Sequence, residues 1–230
     1  MELKISRRLQ AAADLVRPGS IAADVGCDHG KLAAYLLLRE RCPRVIATDI
    51  REQPLQSAKD LIRGLALAER TDFYLTDGLS DVPAGAASDI VIAGMGAETV
   101  MHIIGDTPWL KEKDIRLILV PASRHGLLRR YLAENGFGTV RETAVYEAGH
   151  PYTVICAEYS GIPREIGFRE EMLGGILPDT ADGLAYWRRV LSACKKVAAG
   201  QKAAAVPDRS KSERYTSLAS YIEEEISKHG

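Results

Sequence analysis

Asp24-Val25-Gly26-Cys27-Asp28-His29-Gly30-Lys31-Leu32 is the stretch on which the reading of the fold turns. Residues 21–25, just before and into it, form a short apolar run that reads as a buried strand, and residues 31–40 read as a helix. Gly26 and Gly30 sit between the two, where glycine permits a tight turn and a close backbone approach to a ligand. The same alternation continues outward. Strands are expected at 44–48, 71–76, 89–93 and 115–120, and helices at 53–67, 97–104 and 124–134, the last stopped by Gly136. This βαβ rhythm predicts a parallel sheet covered on both faces. The last two strands, 139–146 and 153–159, have no helix between them. A turn-rich link, residues 147–152, joins them, so they are expected to pair antiparallel.

After residue 160 the strands stop. Residues 184–205 carry Trp187, Val190, Leu191, Cys194 and Val197 on one helical stripe. Residues 210–228 carry Tyr215, Leu218, Ala219, Ile222 and Ile226, and Val206-Pro207-Asp208 breaks the two runs apart. A helical hairpin is the expected outcome. The expected organisation is therefore an α/β domain over residues 1–160 and a helical domain over 161–230.

Composition agrees with a folded globular chain. The sequence has 230 residues, 46% of them hydrophobic and 27% charged, enough for a core without disulfides. No run of about 18 apolar residues suggests a membrane helix, and the N-terminus lacks the apolar core of a signal peptide. Cys27, Cys42, Cys156 and Cys194 lack metal-ligand or disulfide-framework spacing and are expected to be reduced thiols in a cytoplasmic protein. No metal site is expected.

The glycine turn matches neither the G-x-G-x-x-G nor the G-x-x-x-x-G-K-[ST] phosphate-binding pattern. It is also acidic. Asp24 and Asp28 lie in it, and Asp49 ends the second strand about 20 residues past the glycine turn. Such acids repel a pyrophosphate and suit a cationic, hydroxyl-rich ligand. S-adenosylmethionine offers an ammonium, a sulfonium and a ribose diol. The alternative is that Asp24 and Asp28 only cap the next helix. Asp77-Gly78 follows the third strand, where a carboxylate can accept from an adenine amine or simply make a turn. Gly94-Met95-Gly96 follows the fourth, where Met95 lies against a flat ring or packs in the core. Each signal is small, and their order along four strand ends is what counts.

These residues resemble the class I S-adenosylmethionine-dependent methyltransferases, whose sheet ends in an antiparallel hairpin. More narrowly the chain resembles the bacterial tRNA (adenine-22-N1)-methyltransferase family. The resemblance rests on Leu3-Lys4-Ile5-Ser6-Arg7-Arg8-Leu9, the Asp24 to Gly30 turn, Thr76-Asp77-Gly78-Leu79, Ile92-Ala93-Gly94-Met95-Gly96, Leu117-Ile118-Leu119-Val120-Pro121 and the C-terminal helical hairpin. Ala97 stands where the family has a further glycine, and Ala122 where it often has a polar residue. The resemblance implies a Rossmann-like sheet and methyl transfer from S-adenosylmethionine to N1 of an adenine in the D-arm of tRNA. It implies a cofactor set of Asp24, Gly26, Cys27, Asp28, Asp49, Ile50, Asp77, Gly78, Gly94, Met95 and Gly96. Asp28 and His29, in the turn that faces the cofactor's reactive end, are expected nearest the chemistry: Asp28 binds the cofactor or the target adenine, and His29 orients the substrate base or caps the following helix. Ser123, Arg124 and His125 follow as polar contacts or as an ordinary surface loop.

A tRNA partner requires positive charge away from the acidic crevice. Lys4, Arg7, Arg8 and Arg17 supply it near the N-terminus. Between Tyr186 and Arg214 there are eight Lys or Arg and two Asp or Glu. Arg188, Lys195 and Lys202 recur every seven residues beside the apolar stripe, while Arg189 and Lys196 lie roughly opposite it. The candidate nucleic-acid contacts are Arg7, Arg8, Arg188, Arg189, Lys195 and Lys196. A membrane or protein partner is not expected. A small-molecule methyltransferase would not need the basic hairpin. A non-catalytic scaffold would not need to keep Asp24, Gly26, Asp49 and Asp77.

Overall fold

The computed structural model describes residues 3–228. The chain runs α1 (Arg7–Leu15), β1 (Ala22–Val25), α2 (Lys31–Leu38), β2 (Val45–Asp49), α3 (Glu52–Gly64), β3 (Thr71–Leu75), β4 (Asp89–Ala93), α4 (Ala97–Asp106), β5 (Arg116–Val120), α5 (His125–Glu134), β6 (Phe137–Glu147), β7 (His150–Tyr159), α6 (Phe168–Leu173), α7 (Ala181–Lys202) and α8 (Arg209–Lys228). One seven-stranded sheet has the order β3-β2-β1-β4-β5-β7-β6. The pairings among β1 to β5 are parallel; β7 runs antiparallel to both β5 and β6. The fold is therefore the Rossmann-like α/β sheet with a C-terminal antiparallel hairpin and added helices that the sequence pattern leads one to expect.

The central strands are buried on both faces, and alternate residues serve opposite layers. Ile90 and Ile92 of β4 and Leu117 and Leu119 of β5 join Val100 and Ile104 of α4 and Leu128 of α5 in one core. Val91, Ile118 and Val120 point the other way, to Ala12 and Ala13 of α1, Leu32 and Leu36 of α2 and Ile62 of α3. A third cluster lies under the C-terminal helices: Leu173, Tyr186, Trp187, Val190, Cys194, Leu218 and Ile222, with Ala144 of β6 against it.

Besides shifts of one to three residues at the ends of several elements, as in α7 over 181–202 rather than 184–205, three details differ from the sequence expectation. The strands of the last hairpin run further than 139–146 and 153–159. Residues 147–152 are mostly strand, because Tyr146 pairs with Pro151 and Glu147 with His150. Only Ala148 and Gly149 turn, at φ 50° and 82°, the two positive φ angles of a tight hairpin. Pro151 is tolerated because β5 pairs with β7 only from Ile155 onward, so no ladder partner is missed there. Second, α3 begins at Glu52 and ends at Gly64 rather than spanning 53–67. Pro54 fits its first turn, where no intrahelical N–H is needed. Third, α1 and α6 were not expected from the sequence. The Ser6 hydroxyl caps α1 by accepting from the Leu9 amide at 3.4 Å, and α1 buries Ala12 and Ala13.

Arg7 ties the start of the chain to its later parts. Its amide donates to Glu147 at 2.7 Å, and its guanidinium donates to the Tyr146 carbonyl at 2.6 Å and to Asp182 of α7 at 2.8 Å. A buried network fastens the C-terminal helices. Arg129 of α5 donates to Glu142 of β6 at 2.7 and 2.9 Å, to the Glu171 and Met172 carbonyls and to the Tyr186 hydroxyl. The Tyr186 hydroxyl in turn donates to the Met172 carbonyl, and the Gly175 amide to Glu142. Gly174, at φ 60°, passes so close that a Cβ there would lie 2.0 Å from Glu142 Oε2 and 2.5 Å from Arg129 Nε.

Candidate active site

In an open α/β sheet the ligand crevice forms at the carboxyl ends of the strands where the winding reverses, here between β1 and β4. A cleft of about 990 Å³ lies there. Its walls are the ends of β1, β2, β3 and β4, the first turns of α4 and the segment around α1 that includes Lys4, Ser6 and Arg8. Of the residues singled out in the sequence, Asp24, Gly26, Cys27, Asp28, His29, Asp49, Ile50, Asp77, Gly78, Gly94 and Met95 all line it. Gly96 does not. It pairs with Ser123 in an isolated bridge and stands at the N-cap of α4.

Asp24 is the innermost acid, 5% exposed at the end of β1. Its Oδ2 is buried with no hydrogen-bond partner among the described residues. Burial pushes its carboxyl up to about 7; the Ala33 amide opposes the rise, and Asp49 and Asp28 add to it. The helix-cap alternative is thus met only in part. The N-cap of α2 is Gly30, which has no side chain to cap with, and the Ala33 amide in the first turn leaves one Asp24 oxygen over.

Asp49 is held differently. Its Oδ1 accepts from the Arg51 amide at 2.9 Å and its Oδ2 from the Asp28 amide at 3.2 Å. That second contact needs the Asp28 backbone at φ 51°, a left-handed conformation uncommon outside glycine. The Asp28 carboxylate is exposed at the lip, 3.6 Å from His29 Nε2 and 3.9 Å from Arg51 Nη2. Arg51 also stands 3.7 Å from Asp49, so one cation is shared between two acids.

Small residues keep the cleft open. Gly26 has φ 72°, and a Cβ there would fall 2.1 Å from the Met95 terminal methyl. Gly78 has φ 57°, and a Cβ would meet Ile103 at 2.9 Å. The Gly78 carbonyl accepts from the Thr48 hydroxyl at 2.8 Å, which joins the β3 turn to β2. Cys27 contributes backbone rather than a nucleophile. Its amide donates to Thr48 O at 2.8 Å, and burial together with Asp24 and Asp49 pushes its thiol far up, leaving it protonated. Ile50 beside Asp49 is 64% exposed, a bare apolar surface at the cleft mouth.

The chain matches the methyltransferase-domain family (Methyltransf_18) over residues 5–155. The tRNA (adenine(22)-N(1))-methyltransferase of Bacillus subtilis is 33% identical over 174 residues, 72% of this chain and 73% of that protein. This chain belongs to that family of tRNA methyltransferases. The crystal structure of the B. subtilis m1A22 tRNA methyltransferase TrmK superposes with a TM-score of 0.81 at 27% identity, covering all of both chains. A Streptococcus pneumoniae structure solved with S-adenosyl-L-methionine gives 0.81 at 26% identity, covering 97% of this chain and all of that one.

In this methyltransferase several of the basic residues named from the sequence are engaged within the protein. Arg7 pairs with Asp182, and Arg8 pairs with Glu147 at 2.7 Å and lies 4.9 Å over the Tyr152 ring. Arg17 is spent on the buried Asp89. Lys195 reaches Glu223 of α8 at 2.5 Å. Arg188, Arg189 and Lys196 are exposed on α7 without a carboxylate partner among the described residues. Sequence reasoning missed Arg51, Thr48 and Thr76, as well as Glu98, Thr99 and His102 of α4, all of which line the cleft. The signal for Arg51 was its place directly after Asp49-Ile50. The α4 residues carry none, because helical periodicity shows which face is buried and not which exposed turn overlooks a crevice. Ala97 is fully buried at the start of α4, while Ala122 is exposed in the β5–α5 loop.

Proposed function

We infer that the chain transfers a methyl group from S-adenosylmethionine to N1 of adenine 22 in the D-arm of tRNA. The observation that carries this reading is the orphaned, buried Asp24 oxygen at the floor of a cleft also lined by Asp28 and Asp49. A buried carboxyl without a donor is costly unless a ligand supplies one. A cationic, diol-bearing cofactor does so, and the residues present fit it. Asp24 would take the ammonium and Asp49 the ribose hydroxyls. Ile50 and Met95 would flank the adenine ring of the cofactor, and Asp77 would accept from its amine. Gly26, Gly78, Gly94 and the Cys27 backbone leave room for close approach.

Bound there, S-adenosylmethionine supplies an activated methyl carbon. The chain's own work is to place the acceptor, keep water out and tolerate charge. Adenine N1 has a free lone pair, so no strong base is needed. The methylated product is cationic, and the exposed Asp28 carboxylate at the lip stabilises that charge. His29, beside it, orients the acceptor base. The adenine must leave its stack to reach this lip. On this reading the work divides near residue 160: the sheet portion holds the cofactor in a cytoplasmic enzyme, and the helical portion braces tRNA.

Two unmodified tRNA transcripts test this reading, one with adenine at position 22 and one with guanine. Methyl label from S-adenosylmethionine is expected in the first only, recovered as 1-methyladenosine. Label in both would move the target, and label in neither with cofactor still bound would leave a methyltransferase of another acceptor. A second prediction concerns α7. Replacing Arg188, Arg189, Lys195 and Lys196 by Ala is expected to weaken tRNA binding about 10- to 100-fold near physiological salt and to flatten its salt dependence by roughly three phosphate contacts. Three rather than four is expected because Lys195 already has Glu223. Cofactor affinity should not move. Unchanged tRNA affinity across a salt series would remove the helical hairpin from the binding surface.

A further inference from the structure

A second groove, of about 820 Å³, opens beside the cleft between the β5–α5 loop, the β6–β7 turn and α7. Its volume is within the range that takes a small ligand, about 300–1,000 Å³. It is more basic than the cleft. The cleft is lined by five carboxylates and four Lys or Arg side chains. The groove is lined by three guanidiniums, Arg124, Arg130 and Arg189, and one carboxylate, Glu171. Glu171 is 3.2 Å from Arg130, and Arg189 has no carboxylate partner among the described residues. Aromatic surface lies among these charges: Tyr152, and His125, whose ring stacks on Tyr186 at 6.2 Å with a 12° interplanar angle. Burial beside Arg129 and Arg189 holds the His125 imidazole down at about 4, so it is a neutral ring at pH 7.

Two contacts separate groove from cleft. Arg124 of the groove pairs with Glu98 of the cleft, and Arg8 of the cleft lies over Tyr152 of the groove. Arg124 is itself held at φ 55°, as the N-cap of α5, directly after the Gly96–Ser123 bridge. An anion entering the groove meets an arginine whose present partner is an exposed carboxylate, a pairing worth little in water and readily exchanged. Guanidiniums suit phosphate bidentately, and aromatic faces stack any base.

The geometry points to this groove as a second nucleotide subsite, in which Arg124 and Arg189 hold the phosphate next to the target adenine and Tyr152 stacks the neighbouring base. This rests on the tRNA reading above and adds where the strand goes: base into the acidic cleft, phosphate into the basic groove.

The test uses the full chain and the adenine-22 transcript, with wild-type methyl transfer as the control for the underlying reading. The double variant Arg124→Gln/Arg189→Gln is expected to raise the KM for tRNA about tenfold or more and to lower the salt slope by about 1 per arginine. Cofactor Kd and Tm should stay at wild-type values. A transcript with an uncharged methylphosphonate beside adenine 22 is expected to cost the wild type a similar factor and the double variant little further. Tyr152→Leu is expected to raise KM without changing the salt slope. If wild type methylates adenine 22 but the double variant keeps its KM and salt slope, or the methylphosphonate penalty is the same in both proteins, the groove is not this subsite. If wild type itself does not methylate that transcript, the tRNA reading fails and the subsite falls with it.

Discussion

Asp24→Asn is expected to stabilise the protein without cofactor and to abolish most cofactor binding. The Asp24 carboxyl has its folded value raised from 3.8 to about 7. The sign follows: between pH 4 and 7 the folded state keeps a proton that the unfolded state has released. Stability from this group is fully present below pH 3.8 and is lost as pH rises to about 7. The loss at pH 8 is on the order of 4 kcal/mol, three units of pH at about 1.4 kcal/mol each. Asparagine escapes that loss but leaves a buried amide short of a partner, a cost of about 1–3 kcal/mol. The unliganded variant is therefore expected to melt roughly 3–8 °C higher than wild type at pH 8, with the advantage gone near pH 4. Binding moves the other way. Without the charge opposite the cofactor ammonium, affinity by calorimetry should fall at least about 30-fold, as for truncation of one partner of a buried charge pair. The wild type should lose about tenfold in affinity per unit of pH below 7, since the ammonium must displace a proton, and the variant should not. Equal cofactor affinity in the two proteins would place the ammonium elsewhere.

Arg129→Met is expected to cost about 3–5 kcal/mol, the penalty for leaving a buried charge without its partner. The Glu142 side chain is 1% exposed and that of Arg129 4%. Only the Gly175 amide would remain to satisfy Glu142, the Glu171 carbonyl would lose the Arg129 donor, and the Met172 carbonyl would keep only the Tyr186 hydroxyl. Thermal unfolding should drop by roughly 10 °C or more. The pair Arg129→Met/Glu142→Met should recover much of that loss, because replacing both ions leaves no orphan charge. A single variant that melts with wild type would mean that water reaches Glu142. The α7 helix carries Tyr186 from this network and Arg188, Arg189 and Lys196 on its outside. The single variant is thus also expected to weaken tRNA binding more than cofactor binding.

The strand ends were legible because glycine and aspartate recur in order at four strand ends, where any one of them alone would read as a cap or a turn. β1, β2, β4 and β5 differ from the expected ranges by no more than one residue at either end, and the turn after each lies where the sequence placed it. The final hairpin was legible in kind but not in extent. Gly149, His150 and Pro151 signal a turn locally, and only cross-strand pairing shows that two residues make it. The residues expected to hold a cofactor line one cleft, apart from Gly96. The basic residues were less legible, because a guanidinium reads the same whether it faces solvent or a carboxylate 139 positions away, as Arg8 and Glu147 do. The network of Arg129 with Glu142 left no trace, since both residues are ordinarily exposed and neither breaks a helical or strand pattern.

The anchoring of Arg7 has a consequence for synthesis. Arg7 is made before all of its partners, Tyr146, Glu147 and Asp182, which lie 139 to 175 positions later. At about 5–20 residues per second, Asp182 follows it by roughly 10–35 s. During that interval the sheet strands are made, and α1 is held by the packing of Ala12 and Ala13 and then by Tyr146 and Glu147. A nascent chain arrested before residue 182 will keep the Arg7 contacts to Tyr146 and Glu147 and lack the Asp182 pair.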